Sequence, residues 1–334
     1  MTTPPPLPAW INLAQPRLGA EVVCATDDFF APKERLILPD APVFIPGKYD
    51  DHGKWMDGWE SRRRRGGGHD ACIVRLGRPG RIRSVDIDTA HFTGNFPASA
   101  SVDACLSHDV IPGADAGWKV IVPQTGLLGD RHNRFDAAPG NAVSHVRLNI
   151  FPDGGVARLR VYGEISKDWS GVGADELIDL AALENGGRPI LANDEHFGRL
   201  ENIIAPGRAL NMGDGWETRR RRAPGHDWGI IELGHAGVID KILVDTSHFK
   251  GNYPGACSLQ ASSETLAPGE DPENSSANWP FVLPEQKLSM DREHVFQTEI
   301  IRHEPVRFVR LNIYPDGGIA RLRLMGFLTR SGDS

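Results

Sequence analysis

The chain lacks several features that would place it in a specialised class. No stretch of its 334 residues approaches the run of roughly 18 apolar side chains that a helical membrane span needs. The first ten residues, MTTPPPLPAW, carry no basic segment followed by an apolar one, so they do not read as a secretory signal. There are only 4 cysteines, Cys24, Cys72, Cys105 and Cys257, with no CxxC pair and no regular spacing. That pattern excludes a disulfide framework or a cysteine zinc site and is expected of reduced core thiols in a cytoplasmic protein. An excess of positive charge is missing too. The formal net charge of -7 argues against nucleic acid as a partner, while leaving room for one local anion site. Aromatic residues make up 7%, few for the exposed platforms of a glycan binder. No long window shows a 3.6-residue apolar period, and only Glu176–Glu184 is expected to form a short helix.

What the chain does have is a repeat. Residues 11–37 align with 178–204 at a constant offset of 167. Residues 57–104, beginning DGWESRRRR, align without a gap to 214–261, beginning DGWETRRRR, and about half of the positions are identical. The strings VRLNIFPDGGVARLRVYG at 146–163 and VRLNIYPDGGIARLRLMG at 309–326 close the two copies. Two domains are therefore expected, at 11–165 and 178–330, joined by a linker at 166–177. The first copy carries ten extra residues before its DGWE, around Gly47–Lys54. This insertion is an expected lid over the first copy's site, and it would make the copies functionally unequal.

Apolar residues within the repeat alternate over short runs bounded by glycine and proline, which is the strand period. Val85–Ile87, Ile230–Leu233, Ile242–Asp245 and Val309–Ile313 read as strands. The Pro315–Gly318 turn is followed by a returning strand, Ile319–Leu324, so a hairpin is expected there. Short strands at these intervals predict an antiparallel sandwich or jelly roll. The order of Asp214–Thr218, Trp228–Gly234 and Ile239–Val244 resembles that of galactose-binding-like (discoidin-type) jelly rolls. The expected fold is thus all-β, a tandem duplication of that sandwich.

Three polar groups recur in both copies at identical spacing. The first is Glu60 with Arg62–Arg65, matched by Glu217 with Arg219–Arg222. On a strand Arg62 and Arg64 would share a face, as would Arg219 and Arg221, and such a pair suits a carboxylate clamp. The alternative is a solvated edge strand bridged to Glu60 and Asp70. The second group is His69–Asp70, matched by His226–Asp227. The third is His91 with Asn95, matched by His248 with Asn252. Histidine suits proton transfer near neutrality; structural turn residues are the plain alternative. Asn95 and Asn252 offer a donor and an acceptor to a ureido group, or simply close a turn.

The combination of KWMDGWESRRRR at 54–65, His69–Asp70, HFTGN at 91–95 and FPDGGVARLR at 151–160 resembles the allantoicase family, over nearly the whole chain. The resemblance implies hydrolysis of allantoate to ureidoglycolate and urea in purine degradation, by a homo-oligomer of paired jelly rolls. It also leaves a manganese-like divalent ion open as a cofactor. On chemical grounds the reaction needs a carboxylate anchor, from Arg62 or Arg64 and Arg219 or Arg221. It also needs an acid and a base, drawn from Glu60, His69, Asp70 and His91 or from Glu217, His226, Asp227 and His248. A non-catalytic tandem jelly roll that binds a small molecule or carbohydrate is the competing expectation.

Overall fold

The computed structural model describes residues 10–264 and 271–329. They form two compact units, Trp10–Lys167 and Asp168 onward, each built on an eight-stranded sheet system with the same strand order. No helix among the described residues is long and apolar enough to cross a membrane.

In the first unit the strands are β1 (Ile11–Asn12), β2 (Glu21–Ala25), β3 (Asp70–Asp88), β4 (Ser99–Cys105), β5 (Lys119–Gly126), β6 (His132–Asp136), β7 (Val143–Phe151) and β8 (Arg158–Ile165). The 19-residue β3 organises the rest. Its first half pairs with β2 on one side and β7 on the other; its second half pairs with β6 and β8. The change of partners falls at Arg75–Gly80, where the β7 register shifts. Pro79 lies in this stretch; having no N–H, it belongs where a ladder is interrupted. One strand therefore serves two sheets, β2-β3-β7-β4-β5 and β1-β8-β3-β6, and closes the sandwich between them.

Strand alternation fills the core. In β7, Val146, Leu148 and Ile150 are fully buried. Between them Arg147 and Asn149 point to the opposite face, where they bond Asp103 at 2.7 Å and Ser101 at 3.1 Å across β4.

The second unit repeats the plan with β9 (Ile178–Asp179), β10 (Arg188–Ala192), β11 (Asp227–Asp245), β12 (Ala256–Ser262), β13 (Phe281–Lys287), β14 (Glu293–Phe296), β15 (Val306–Tyr314) and β16 (Arg321–Leu328). Ile230–Leu233 and Ile242–Asp245 prove to be two halves of the single strand β11. The expected hairpin after Pro315 is not one: β15 and β16 do not pair with each other but flank successive halves of β11. The turn is tight, yet the chain crosses there from one sheet to the other. Glu176–Glu184 is not a helix either. Ile178–Asp179 joins β16, and only Leu183–Asn185 makes a single 3-10 turn, because Ile178 and Leu180 are drawn into the core. All four cysteines are free, and all but Cys24 are buried.

Candidate active site

The turn between β7 and β8 ties the repeated motifs of the first unit together. Three bonds to its backbone do this. The Pro152 carbonyl accepts from the N–H of Asp70 at 3.2 Å, and the Gly154 carbonyl accepts from that of Ser61 at 3.1 Å. The N–H of Gly155 in turn donates to the Asn95 carbonyl at 2.8 Å. Gly154 sits at φ 134, which a side chain resists. A Cβ on Gly155 would lie 1.9 Å from the buried Phe92 ring. The sequence Phe-Pro-Asp-Gly-Gly is thus a junction onto which three remote segments dock. The second unit repeats it through Pro315, Gly317 and Gly318.

A second support is an ion pair that the sequence reading overlooked. Arg158, 2% exposed, donates to the Asp57 carboxylate at 2.8 Å and to the Asp57 carbonyl at 3.1 Å, and its Nε reaches the Asp40 carbonyl at 3.0 Å. Burial raises the Asp57 carboxyl, but the Arg158 hydrogen bond, aided by the N–H of Val43, outweighs it and holds Asp57 below the ordinary range. In the second unit Arg321 donates to the Asp214 carboxylate at 2.7 Å. The signal was present in the sequence, since both partners recur in register in the two copies.

So held, Trp59–Glu60 forms a two-residue bridge to Gly155–Val156. Trp59 is fully buried, its indole N–H given to the Asp27 carbonyl at 2.8 Å. The alternation then turns Glu60 outward. Its Oε1 accepts from Asn95 Nδ2 at 2.7 Å. Burial pushes the Glu60 carboxyl up, against the Asn95 amide and the Lys54 charge, which both pull it down. His91 sits in the left-handed region at φ 69, held by its N–H to Asp130 Oδ1 at 2.8 Å, and its Nε2 meets the Pro42 carbonyl at 3.1 Å.

Glu60, His91 and Asn95 line one cavity of about 420 Å³ together with His52, Lys54 and Met56. That size falls in the range of small-molecule sites, ~300–1,000 Å³. His52 and Lys54 come from the insertion, which folds as a small hairpin pairing Tyr49–Asp50 with Gly53–Lys54.

The other expected residues do not line this cavity. The arginine run is irregular chain, so the strand alternation expected for it does not hold. Arg62 is bound to Asp27, through Nε at 2.7 Å and Nη2 at 2.6 Å, and lies over the Phe29 ring. The Arg64 N–H goes to Asp153 at 2.7 Å and its guanidinium to Asp70 at 2.6 Å. Asp70, 2% exposed, also accepts from Thr26 at 2.8 Å. The two arginines expected as a clamp are therefore matched by carboxylates of the protein, and Asp70 is one half of an ion pair. His69 packs on the Phe151 ring, with centroids 4.6 Å apart.

In the second unit Glu217 accepts from Asn252 at 2.5 Å, and His248, at φ 72, meets the Ala209 carbonyl at 2.9 Å. Arg219 pairs with Asp194, and Arg221 with Asp227 and Asp316. His226 contacts Asn312 at 3.1 Å; burial pulls its pKa down, although the Asn312 bond acts the other way.

A manganese-type ion takes about six oxygen or nitrogen donors. The cavity wall supplies one carboxylate, Glu60, already bonded to Asn95, and two imidazoles, His91 with its Nε2 turned to Pro42 and His52 stacked on Phe29. Among the described residues no three of His, Cys, Asp and Glu converge into a ligand set. The described residues lining this cavity do not form the ligand set of the divalent ion that the resemblance left open.

Comparison with known proteins agrees with this reading of the repeats. The family model of the allantoicase repeat matches residues 11–166 and 178–329. "Probable allantoicase 2" of Burkholderia pseudomallei is 56% identical over 321 residues, covering 96% of this chain and 95% of that protein. "Probable allantoicase" of Ralstonia nicotianae is 55% identical, with 95% and 94% covered. The crystal structure of allantoicase from Saccharomyces cerevisiae superposes with a TM-score of 0.80 at 34% identity, with 95% and 93% covered. On sequence, repeat and fold together, this chain belongs to the allantoicase family.

Proposed function

We propose that the protein hydrolyses allantoate to ureidoglycolate and urea, and that the reaction takes place in the Glu60 cavity of the first unit. The observation that carries this is the desolvated Glu60 carboxyl, raised in pKa and aimed by Asn95 into a cavity of small-molecule size. A carboxyl whose pKa is raised by burial holds its proton more firmly than a free one and is suited to general acid catalysis.

The substrate carries two ureido groups and a carboxylate on one carbon. Glu60 protonates the nitrogen of the departing ureido group. The other ureido nitrogen pushes in its lone pair, the C–N bond breaks, and urea leaves. The carbon is left in a protonated acylimine, its positive charge shared with that nitrogen. Glu60, now a carboxylate, takes a proton from water as the oxygen adds to that carbon, giving ureidoglycolate and restoring the acid. Asn95 gives its Nδ2 to Glu60, which leaves its Oδ1 to accept from a ureido N–H. His91 is held at the cavity wall by its bond to the Pro42 carbonyl. No metal enters these steps.

Urea release from allantoate by the purified protein tests this, with EDTA and added Mn2+ as separate arms. Urea and ureidoglycolate in equal amounts, unchanged by chelation, are expected. A folded protein that releases no urea refutes the reaction, and turnover lost to EDTA and restored by Mn2+ refutes the metal-free course.

A further inference from the structure

We infer that Lys54, carried by the hairpin that only the first unit has, binds the substrate's carboxylate and so decides which unit turns over. This rests on the reading that the Glu60 cavity takes allantoate.

The argument begins from charge. A carboxylate that gives up water to enter the cavity beside Glu60 needs a cation, because its desolvation is otherwise uncompensated. The guanidinium groups of Arg62 and Arg64 are matched by Asp27 and Asp70 and do not line the cavity. Lys54 does line it, and its ammonium lies over the Phe44 ring, 4.7 Å from the centroid, a contact that leaves its three N–H donors for an incoming anion. The hairpin is held in place from several sides. The His52 ring stacks on Phe29 at 4.4 Å. Trp55 lies between Lys48 and Arg35, at 3.8 and 5.0 Å, and its N–H donates to the Lys48 carbonyl at 3.1 Å.

The second unit keeps the Glu217–Asn252 pair but not the hairpin that carries Lys54. Its segment before the Asp-Gly turn is ten residues shorter, and Met212 sulfur lies 3.8 Å from the Asn252 amide. Its nearby lysine, Lys250, is drawn to Asp291 at 3.6 Å. The same acid is thus present in both units, but the lysine-bearing hairpin stands in one.

A consequence links binding to catalysis. Free Lys54 pulls the Glu60 carboxyl down. A substrate carboxylate on Lys54 cancels that pull, so Glu60 is more fully protonated once the substrate is bound.

Allantoate affinity is measured by calorimetry in the full-length Glu60→Gln protein, where turnover is slowed, with Lys54→Met, Lys54→Arg or Lys250→Met added. Lys54→Met is expected to weaken binding roughly 10- to 100-fold, the scale of one charge-assisted hydrogen bond. Lys54→Arg should recover most of the affinity, and Lys250→Met should not change it. Unchanged affinity in Lys54→Met overturns the inference, as does an equal loss in Lys54→Met and Lys54→Arg, which would mean damage to the hairpin and not loss of charge. Lys54-dependent binding by a wild-type protein that makes no urea would refute the hydrolysis reading and leave the Lys54 assignment standing; no binding at all overturns both.

Discussion

Replacing Glu60 by Gln separates its chemical role from its structural one. The structure lets the exchange be nearly silent for the fold: Gln keeps the Oε1 acceptor that Asn95 Nδ2 bonds at 2.7 Å and fills the same volume. The bridge to Gly155 is a backbone contact and is unaffected. Stability should therefore stay within about 0.5 kcal/mol of wild type. What is lost is the proton. General acid–base groups contribute ~10²- to 10⁴-fold, so kcat should fall by that factor, about 3–5 kcal/mol of barrier, with little change in KM. The pH profile gives the second readout. Burial raises the Glu60 pKa, and the acid form is the active one, so kcat/KM should decline as pH rises, with its midpoint above the ordinary carboxylate range of ~4.3. Asn95→Leu removes a donor that favours the carboxylate and should move that limb to higher pH. The assay is steady-state urea release from pH 4 to 9, with thermal unfolding of each variant as a control. A folded Glu60→Gln protein that keeps more than a tenth of wild-type kcat would refute the reasoning. So would a wild-type descending limb inside the ordinary carboxylate range.

Two other outcomes concern the supports of the site. Arg158→Met leaves the Asp57 carboxylate buried without its cation and should destabilise the first unit by about 3–5 kcal/mol, read by chemical denaturation; a loss under about 1 kcal/mol contradicts the account. In the second unit, burial lifts Asp179 to about 6 despite Arg323. Its Oδ1 accepts from the N–H groups of Ala181 and Leu324, bonds that Asn12 makes to Ala14 and Val161 in the first unit. The folded pKa lies above the unfolded one, so stability is full below about pH 4 and falls as pH rises through 6, by about 3 kcal/mol in all. Asp179→Asn should therefore raise the melting temperature at pH 8 and not at pH 4; the same shift at both would show that charge is not the cause.

The sequence by itself determined the duplication, the strand period and the family resemblance. Each is written in local or repeated order: Val309, Leu311 and Ile313 alternate, and the Pro-Asp-Gly-Gly turn recurs. It also marked Glu60, His91 and Asn95, because their spacing is the same in both copies. It did not show that one strand serves both sheets, since the switch at Arg75–Gly80 changes partners and not period. Nor did it show the state of the arginines. Asp70, the partner of Arg64, lies six residues on and was within reach of the sequence, but Arg62 finds Asp27 35 residues away, and no spacing rule links such a pair. The cavity depends on tertiary structure most of all. Its acid, amide, histidine and lysine lie on the bridge after the Asp-Gly turn, on the loop beyond β3 and on the inserted hairpin. Only the docking of the first two onto the β7–β8 turn, and the folding of the hairpin over them, brings four ordinary side chains into one desolvated space. Charge compensation and desolvation are properties of neighbours in space, so the chemistry of this site was settled only when the chain closed on itself.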